Sequence, residues 1–396
     1  MKRRLADLLR CPDCNSAFTL TVFSTRADER PVRLASVRCQ QNCALLGSAL
    51  RDSSLAPDAR TCERCYGEDV VDGLLRCEGC RAVFPVVESV PRLLPSALFD
   101  HPRWVARWGA GIDKGGSARP LPQRRAFERS FRRTQRSFEF EWLTFRETWD
   151  NDLENFWRRT GFHREDLAGW TVLDAGCGMG RYLRLLGDVP GCEIVGLDLG
   201  RAVERAQADI APTSPYLHLV QGNLMTPPFR REAFDLVYSL GVLHHTPSTA
   251  TAFRAIAPLA RRGGHLAIWV YARDMLRHPI RLAVSDALRF VTIRLPPRAV
   301  YWLAHIAAPL GWLQERLIKR RVTMWLGAPL LALPVRIRAP WRIRVMDTYD
   351  WYSPRFQWKH TRDEVRGWFE QAGFVDIEPC VEEVSCQGRR PGGPPL

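Results

Sequence analysis

The chain has 396 residues, enough for two or three domains at roughly 100–200 residues each. Its 46% hydrophobic and 25% charged content excludes a disordered, collagenous or low-complexity chain. Lys and Arg total 57 against 43 acids, a net charge of +14 that invites a nucleic-acid or anionic-surface reading. Only four of those cations are lysines (Lys2, Lys114, Lys319 and Lys359), a ratio that points to coding bias more than to selection for phosphate contacts, where lysine serves as a charge.

Eight of the twelve cysteines lie before residue 81, in the close pairs Cys11/Cys14, Cys39/Cys43, Cys62/Cys65 and Cys77/Cys80. The opening MKRRLADLLR is basic, only briefly apolar, and runs straight into CPDC, which does not read as a secretory signal. A reducing cytoplasm is therefore expected, where such knuckles hold zinc far more often than they form disulfides. Cys177, Cys192, Cys380 and Cys386 lack this spacing and read as free thiols. The segment from Leu9 to Pro95 opens with LLRCPDCNSAFTL and closes with CEGCRAVFPVVESVPRLLP. It resembles a small zinc-ribbon family that partners, or is fused to, methyltransferases. The resemblance implies that Cys11, Cys14, Cys77 and Cys80 share one metal, leaving Cys39, Cys43, Cys62 and Cys65 for a second site on an inserted loop. By spacing alone, pairing the first knuckle with the second and the third with the fourth stays open. One or two zinc ions are expected, in a structural role, because four thiolates leave no coordination position for water.

Residues 1–95 thus form one predicted domain, and residues 96–165 a linker and helical connector. The Gly-, Arg- and Pro-rich stretch up to residue 120 reads as linker, and RAFERSFRRTQRSFEFEWLTFRETWDNDLENFWRRTGF spaces its apolar residues as helices do. Phe138, Phe140 and Trp142 read as core anchors. From Trp170, short β-rich runs (TVLDAG, CEIVGLD, YLHLVQG, FDLVYSL, HLAIWVYA) alternate with helical stretches. That rhythm predicts an α/β fold, a parallel Rossmann-like sheet with helices on both faces, over residues 166–272. Residues 273–345 interrupt it with a basic, apolar insertion, residues 346–388 restore a helix and one or two strands, and 389–396 are expected to be a disordered tail.

The first turn of the sheet is VLDAGCGMGR, with Asp174, Gly176, Gly178 and Gly180, and the second strand ends at Asp198. Such glycines let the backbone approach a ligand at a helix start, and a carboxylate at the second position can accept both ribose hydroxyls of a nucleoside cofactor. VQGNLMTPPF and FDLVYSLGVLHHTPS follow at the third and fourth strands. Together these segments resemble class I S-adenosylmethionine-dependent methyltransferases, closest to the subgroup that includes ubiquinone and menaquinone biosynthesis enzymes. The resemblance implies that Gly176, Gly178 and Gly180 line the methionine and ribose portion of S-adenosylmethionine, with Asp174 near its amino group and Asp198 on the ribose diol. Asn223 and Leu224 would flank the adenine, and Ser239 and Leu240 would close the pocket floor.

Methyl transfer from a sulfonium needs alignment and exclusion of water, and a base only where the acceptor must lose a proton. His244, His245 and His360 are the candidates for that base, or for positioning the acceptor. Asp347, Tyr349 and Tyr352 form a further polar and aromatic group before the last helix, whose start Thr361 and Glu364 mark by capping-box spacing. Between Arg273 and Arg344, fourteen basic residues face three acids, a net of +11. The apolar runs there, AVYWLAHIAAPLGWL and VTMWLGAPLLALPV, fall short of the roughly twenty residues that span a bilayer. The stretch reads as a helical cap over the acceptor pocket, to which peripheral membrane contact would add a lipid-like acceptor. The leading expectation is O- or C-methylation of a small-molecule or lipid-like acceptor. RNA methylation is the first alternative, since rRNA guanine methyltransferases also join a zinc module to this fold and basic residues with interleaved aromatics bind single strands. A non-catalytic zinc-bearing scaffold is the second.

Overall fold

The computed structural model of the chain describes residues 1–30, 32, 37–46, 48–49, 57–112, 121–145, 151–273, 279–319 and 340–392. Most of the linker after residue 112, the run VTMWLGAPLLALPV and residues 393–396 of the expected tail lie outside them.

The N-terminal module begins with a single turn, α1 (Leu5–Leu8), then β1 (Phe18–Ala27), the short pair β2 (Asn42–Cys43) and β3 (Ser48–Ala49), and α2 (Ala59–Tyr66). Asp58 caps α2 by accepting from the Thr61 amide. Strands β4 (Glu68–Cys77), β5 (Val83–Val87) and β6 (Val90–Pro91) complete an antiparallel sheet ordered β1-β4-β5-β6. The connector is α3 (Ala97–Asp100), α4 (Pro102–Trp108), the long α5 (Leu121–Thr144) and α6 (Asp152–Thr160).

The second domain follows as β7 (Thr171–Ala175), α7 (Leu183–Leu186), β8 (Glu193–Asp198), α8 (Ala202–Asp209), β9 (Leu217–Gln221), β10 (Phe234–Leu240), α9 (Thr249–Ile256) and β11 (Ala260–Trp269). Strands β7 and β9 are buried at every position, as parallel strands covered on both faces must be. Helices α10 (Pro279–Thr292), α11 (Pro297–Lys319), α12 (Trp341–Tyr352) and α13 (Arg362–Gln371) come next, then β12 (Val375–Pro379) and β13 (Ser385–Arg389). The sheet order is β12-β13-β11-β10-β7-β8-β9, with β13 antiparallel to both neighbours and the five strands from β11 to β9 parallel. The segment MDTYDWY, read as a polar stretch ahead of the last helix, lies within α12, so Asp347 and Asp350 stand three residues apart on one helical face. Arg389 and Arg390 depart from the expected disorder. Arg389 pairs with His265, and Arg390 donates from its amide to Gly264 and from its guanidinium to the Pro258 and Ala260 carbonyls.

The two domains share one core. Met1, Leu5, Leu8 and Leu9 pack into the same buried cluster as Phe229, Phe234 and Val237. Backbone bonds from Arg10 to Pro228, Arg230 to Leu8 and Leu93 to Gln221 stitch the module along β9 and the loop after it. Beneath them the buried Glu193 carboxylate receives the Arg4 guanidinium (3.2 Å), the Tyr66 hydroxyl (2.6 Å) and His218 Nε2 (3.1 Å).

Candidate functional site

A cavity of about 1080 Å³ opens at the carboxyl edge of the parallel strands. One wall is the glycine turn. Gly176 has φ +108°, and a Cβ there would sit 2.4 Å from the Val242 side chain, so neither the backbone nor the space admits a larger residue. The Asp198 carboxylate braces the turn, accepting from the Gly178 amide (2.9 Å) and the Gly200 amide (2.7 Å). Burial raises the pKa of Asp198 despite those bonds and pushes Asp174 up to about 8, with the Tyr238 hydroxyl donating to it at 3.1 Å.

Asp174, Gly176, Gly178, Asp198, Asn223, Leu224 and Leu240 all line this cavity. Asn223 Oδ1 also accepts from the Met225 amide at 2.9 Å, so it shapes the local turn. Gly180 and Ser239 sit outside the lining. A Cβ at Gly180 would meet Ile210 at 2.4 Å, so that glycine serves helix packing, and the buried Ser239 hydroxyl donates to the Ala175 carbonyl.

Of the three histidines, only His245 lines the cavity. Its Nδ1–H donates to the Phe356 carbonyl (2.8 Å), which leaves Nε2 as the acceptor nitrogen of a ring that burial keeps neutral. His244 is fully buried between His245 and Tyr271, with ring centroids 4.1 and 3.9 Å away. His360 bonds Thr249 Oγ1 and Glu364 at the start of α13. Tyr349 and Tyr352 belong to the core behind α12, whereas Asp347 lines the cavity.

The opposite wall was not read from the sequence. Phe131, Thr134, Gln135, Phe138, Glu141 and Trp142 recur every three or four residues along α5, and all line the cavity. The Trp142 indole lies over Gly178, at 3.2 Å from a Cβ built there, and Phe138 packs on His245 at 5.0 Å. Phe140 alone of the three expected anchors joins the core behind, against Tyr301 and Tyr349. The signal was available: a helix stripe that includes Thr134, Gln135 and Glu141 is too polar to be only a packing face.

In the N-terminal module, Cys11, Cys14, Cys77 and Cys80 bring their sulfurs within 4.8 Å of one another. The Cys11–Cys80 and Cys14–Cys77 separations are 3.6 and 3.3 Å, close to the about 3.8 Å edge of a tetrahedron with 2.3 Å zinc–sulfur bonds. The donors fit a structural zinc, and the first knuckle pairs with the last. Cys39, Cys43, Cys62 and Cys65 are all buried, yet they assemble no comparable ligand set among the described residues. The loop between Cys39 and Cys43 instead wraps the Asp7 carboxylate, which accepts from the amides of Gln40, Gln41 and Asn42.

In open α/β sheets, ligands bind outside the strand ends where the strand order reverses, and here β7 and β10 flank that point beneath the cavity. The fold and its glycine turn are those of class I S-adenosylmethionine-dependent methyltransferases. Residues 173–268 match the family described as "Methyltransferase domain", and residues 2–89 the family described as "Trm112p-like protein". The chain therefore carries a class I methyltransferase domain behind an N-terminal Trm112-like zinc-ribbon domain.

Among curated relatives, it is 35% identical over 118 residues to the human "Probable tRNA methyltransferase 9B", covering 28% of this chain and 24% of that protein. It is 34% identical over 171 residues to the tRNA U34 carboxymethyltransferase of Azotobacter vinelandii, covering 42% of this chain and 50% of that protein. The chain thus spans a quarter to a half of the length of these relatives. Among solved structures, a complex of the Haloferax volcanii Trm112 methyltransferase activator with a methyltransferase aligns at 25% identity and a TM-score of 0.29, covering 37% of this chain and 66% of that one.

Proposed function

We propose that the chain is an S-adenosylmethionine-dependent methyltransferase acting on RNA, of the tRNA-modifying kind. This corrects the expectation of a small-molecule or lipid-like acceptor with membrane contact through residues 273–345. Relatives at 34–35% identity are tRNA-modifying enzymes, and a Trm112-like domain precedes the methyltransferase domain. No helix among the described residues is long and apolar enough to cross a membrane.

The observation that carries the catalytic part is the single cavity joining the glycine turn and Asp198 to a separate polar wall. Bound there, S-adenosylmethionine supplies an electrophilic methyl on a sulfonium. In this reading Asp198, pinned by two amides, accepts the ribose hydroxyls, Asp174 meets the amino group, and Asn223 with Leu224 flanks the adenine. Trp142 and Phe138 close the cavity from α5 and exclude water. The neutral His245 offers Nε2 as a proton acceptor or a positioning contact. Outside the cavity, α10 and α11 expose Phe290, Trp302 and Trp312, with Arg294 over Phe290 and Arg316 over Trp312, a pairing that suits stacked bases and phosphates.

The test is incubation with methyl-labelled cofactor and separate RNA, lipid and small-molecule extracts. Label is expected in RNA of transfer size, and label confined to the lipid or small-molecule fraction would overturn the reading.

A further inference from the structure

The wall facing the glycine turn has a chemistry of its own. Glu141 from α5 and Asp347 and Asp350 from α12 all line the cavity, three carboxylates in a protein of net charge +14. Glu141 is 2% exposed, and its Oε2 has no hydrogen-bond partner among the described residues. On the same helical face, the Thr134 hydroxyl and the Gln135 amide oxygen are also buried, unpartnered among the described residues, and line the same cavity. Asp350 accepts from the Tyr271 hydroxyl at 2.9 Å.

Among the described residues, no Lys or Arg forms an ion pair with Glu141 or Asp350. The lining arginines are Arg159 and Arg181. Arg159 lies over the Trp269 ring and donates to the Tyr182 hydroxyl, and Arg181 pairs with Asp152. Arg289, which feels the charge of Asp350, donates to the Trp351 and Pro354 carbonyls. Burial and the two neighbouring aspartates raise the pKa of Glu141 while no donor faces Oε2, and an N–H donor docked there favours the ionised carboxylate that accepts from it. Buried acceptors of this kind are satisfied by N–H donors, while an anionic or carbonyl-rich group would face them lone pair to lone pair. Phe138, Tyr271 and Trp351 supply flat apolar surface beside them, suited to a planar ring.

We propose that this wall selects the acceptor by its N–H donors: the methylated group is the exocyclic amine of a nucleobase (adenine, cytosine or guanine), held by Glu141 and Asp350. A uridine bearing a carboxylate is disfavoured. The inference rests on the RNA reading above for the identity of the base, and on the cavity alone for the donor rule. When the amine nitrogen forms its bond to the methyl carbon, the carbon–sulfur electron pair leaves with the cofactor's sulfur, and the proton the nitrogen gives up passes to Glu141.

The experiment combines product identification with binding. RNA labelled by the full-length protein is digested to nucleosides and the methylated atom assigned by mass spectrometry. Cofactor affinity is measured by calorimetry for wild type, Glu141→Gln, Glu141→Asp and Asp350→Asn. The methyl is expected on a base amine nitrogen. Glu141→Gln and Asp350→Asn are expected to lose at least tenfold in methylation while holding cofactor affinity within twofold, and Glu141→Asp to recover part of the loss. Methyl on uridine, on a carboxylate or on a ribose oxygen overturns the proposal. So does a Glu141→Gln protein with unchanged turnover, or one whose main loss is in cofactor affinity, which would make the carboxylate a partner of the sulfonium. Unlabelled RNA beside a labelled small molecule overturns the RNA reading instead; an amine as that acceptor supports the donor rule, and a hydroxyl or carboxylate refutes it. Thermal melting identifies a variant that fails to fold, in which case the wild-type product and Asp350→Asn decide.

Discussion

Replacing Arg4 with methionine tests whether the Trm112-like domain is latched to the methyltransferase sheet by charge. Arg4 is 3% exposed and bonds two fully buried carboxylates, Asp7 at 2.6 Å and Glu193 at 3.2 Å. Removing one member of a buried ion pair costs about 3–5 kcal/mol, because the charge left behind stays desolvated. Here both carboxylates keep other donors, three backbone amides on Asp7 and the Tyr66, His218 and Thr171 side chains on Glu193. The loss should therefore fall at the lower end, about 3 kcal/mol. Urea unfolding followed by circular dichroism measures it, and a cycle with Glu193→Gln should return a coupling above about 1 kcal/mol. The acid limb gives an independent reading. Glu193 is held well below the ordinary glutamate value by Arg4 and by the His218 and Tyr66 hydrogen bonds, against the burial that would raise it. Its contribution is present above the unfolded value near 4.3 and is lost as pH falls below that, so Glu193→Gln should flatten the fall in stability from about pH 5 to 3. An Arg4→Met cost under about 1 kcal/mol with no coupling would refute the latch and leave the shared apolar core and the backbone bonds to hold the domains together.

Gly176→Ala should weaken cofactor binding at least tenfold by calorimetry, since the new methyl group must enter the volume of Val242 at a φ of +108°. Metal analysis should return one zinc per chain, lost in Cys77→Ser and retained in Cys62→Ser, because only the first cysteine set assembles ligand geometry among the described residues. Asp174, near 8 when buried without a cation, should ionise as an ammonium docks beside it. Cofactor affinity should then rise from pH 6 to pH 8 with proton release detected in buffers of different ionisation enthalpy, and Asp174→Asn should abolish the rise. His360→Ala should leave cofactor affinity unchanged and lower thermal stability through the start of α13, whereas His245→Ala should depress turnover; equal turnover in both would remove His245 from the site.

The features legible in the sequence are those whose physics is local. Alternating β-rich and helical runs gave the strands from β7 to β11, because each buries its own residues on both faces. The glycine turn was legible because positive φ and a crowded Cβ admit no other residue at Gly176. What stayed hidden depends on which face a helix presents. Glu141 and Trp142 fall on the same 3–4 stripe as Phe138, and period alone does not distinguish a stripe that packs from one that lines a cavity. Asp347 was singled out in the sequence, but Asp350 was hidden for the same reason, since the face the two share exists only once α12 is known to be helical through Tyr352. The second cysteine set looked like the first by spacing, but the carboxylate of Asp7, remote from it in sequence, organises the loop.

The HHTP segment after β10, which contributes to the resemblance to quinone-biosynthesis enzymes, serves the scaffold, while its His245 also lines the cavity. The His244 carbonyl accepts from the Trp358 amide, the Thr246 carbonyl from the Trp358 indole, and His245 Nδ1 donates to Phe356, so the segment pins residues 356–360 beside the end of β10. It shapes the cavity floor, and the carboxylates proposed to hold the acceptor lie on the facing wall. There the charge that first suggested nucleic acid takes on a sharper form. The outer helices α10 and α11 are basic and aromatic, while the acceptor wall is acidic. A small anion would be drawn to the first surface and rejected by the second. A polyanion that carries N–H-bearing bases satisfies both at once, with phosphates outside and an amine within.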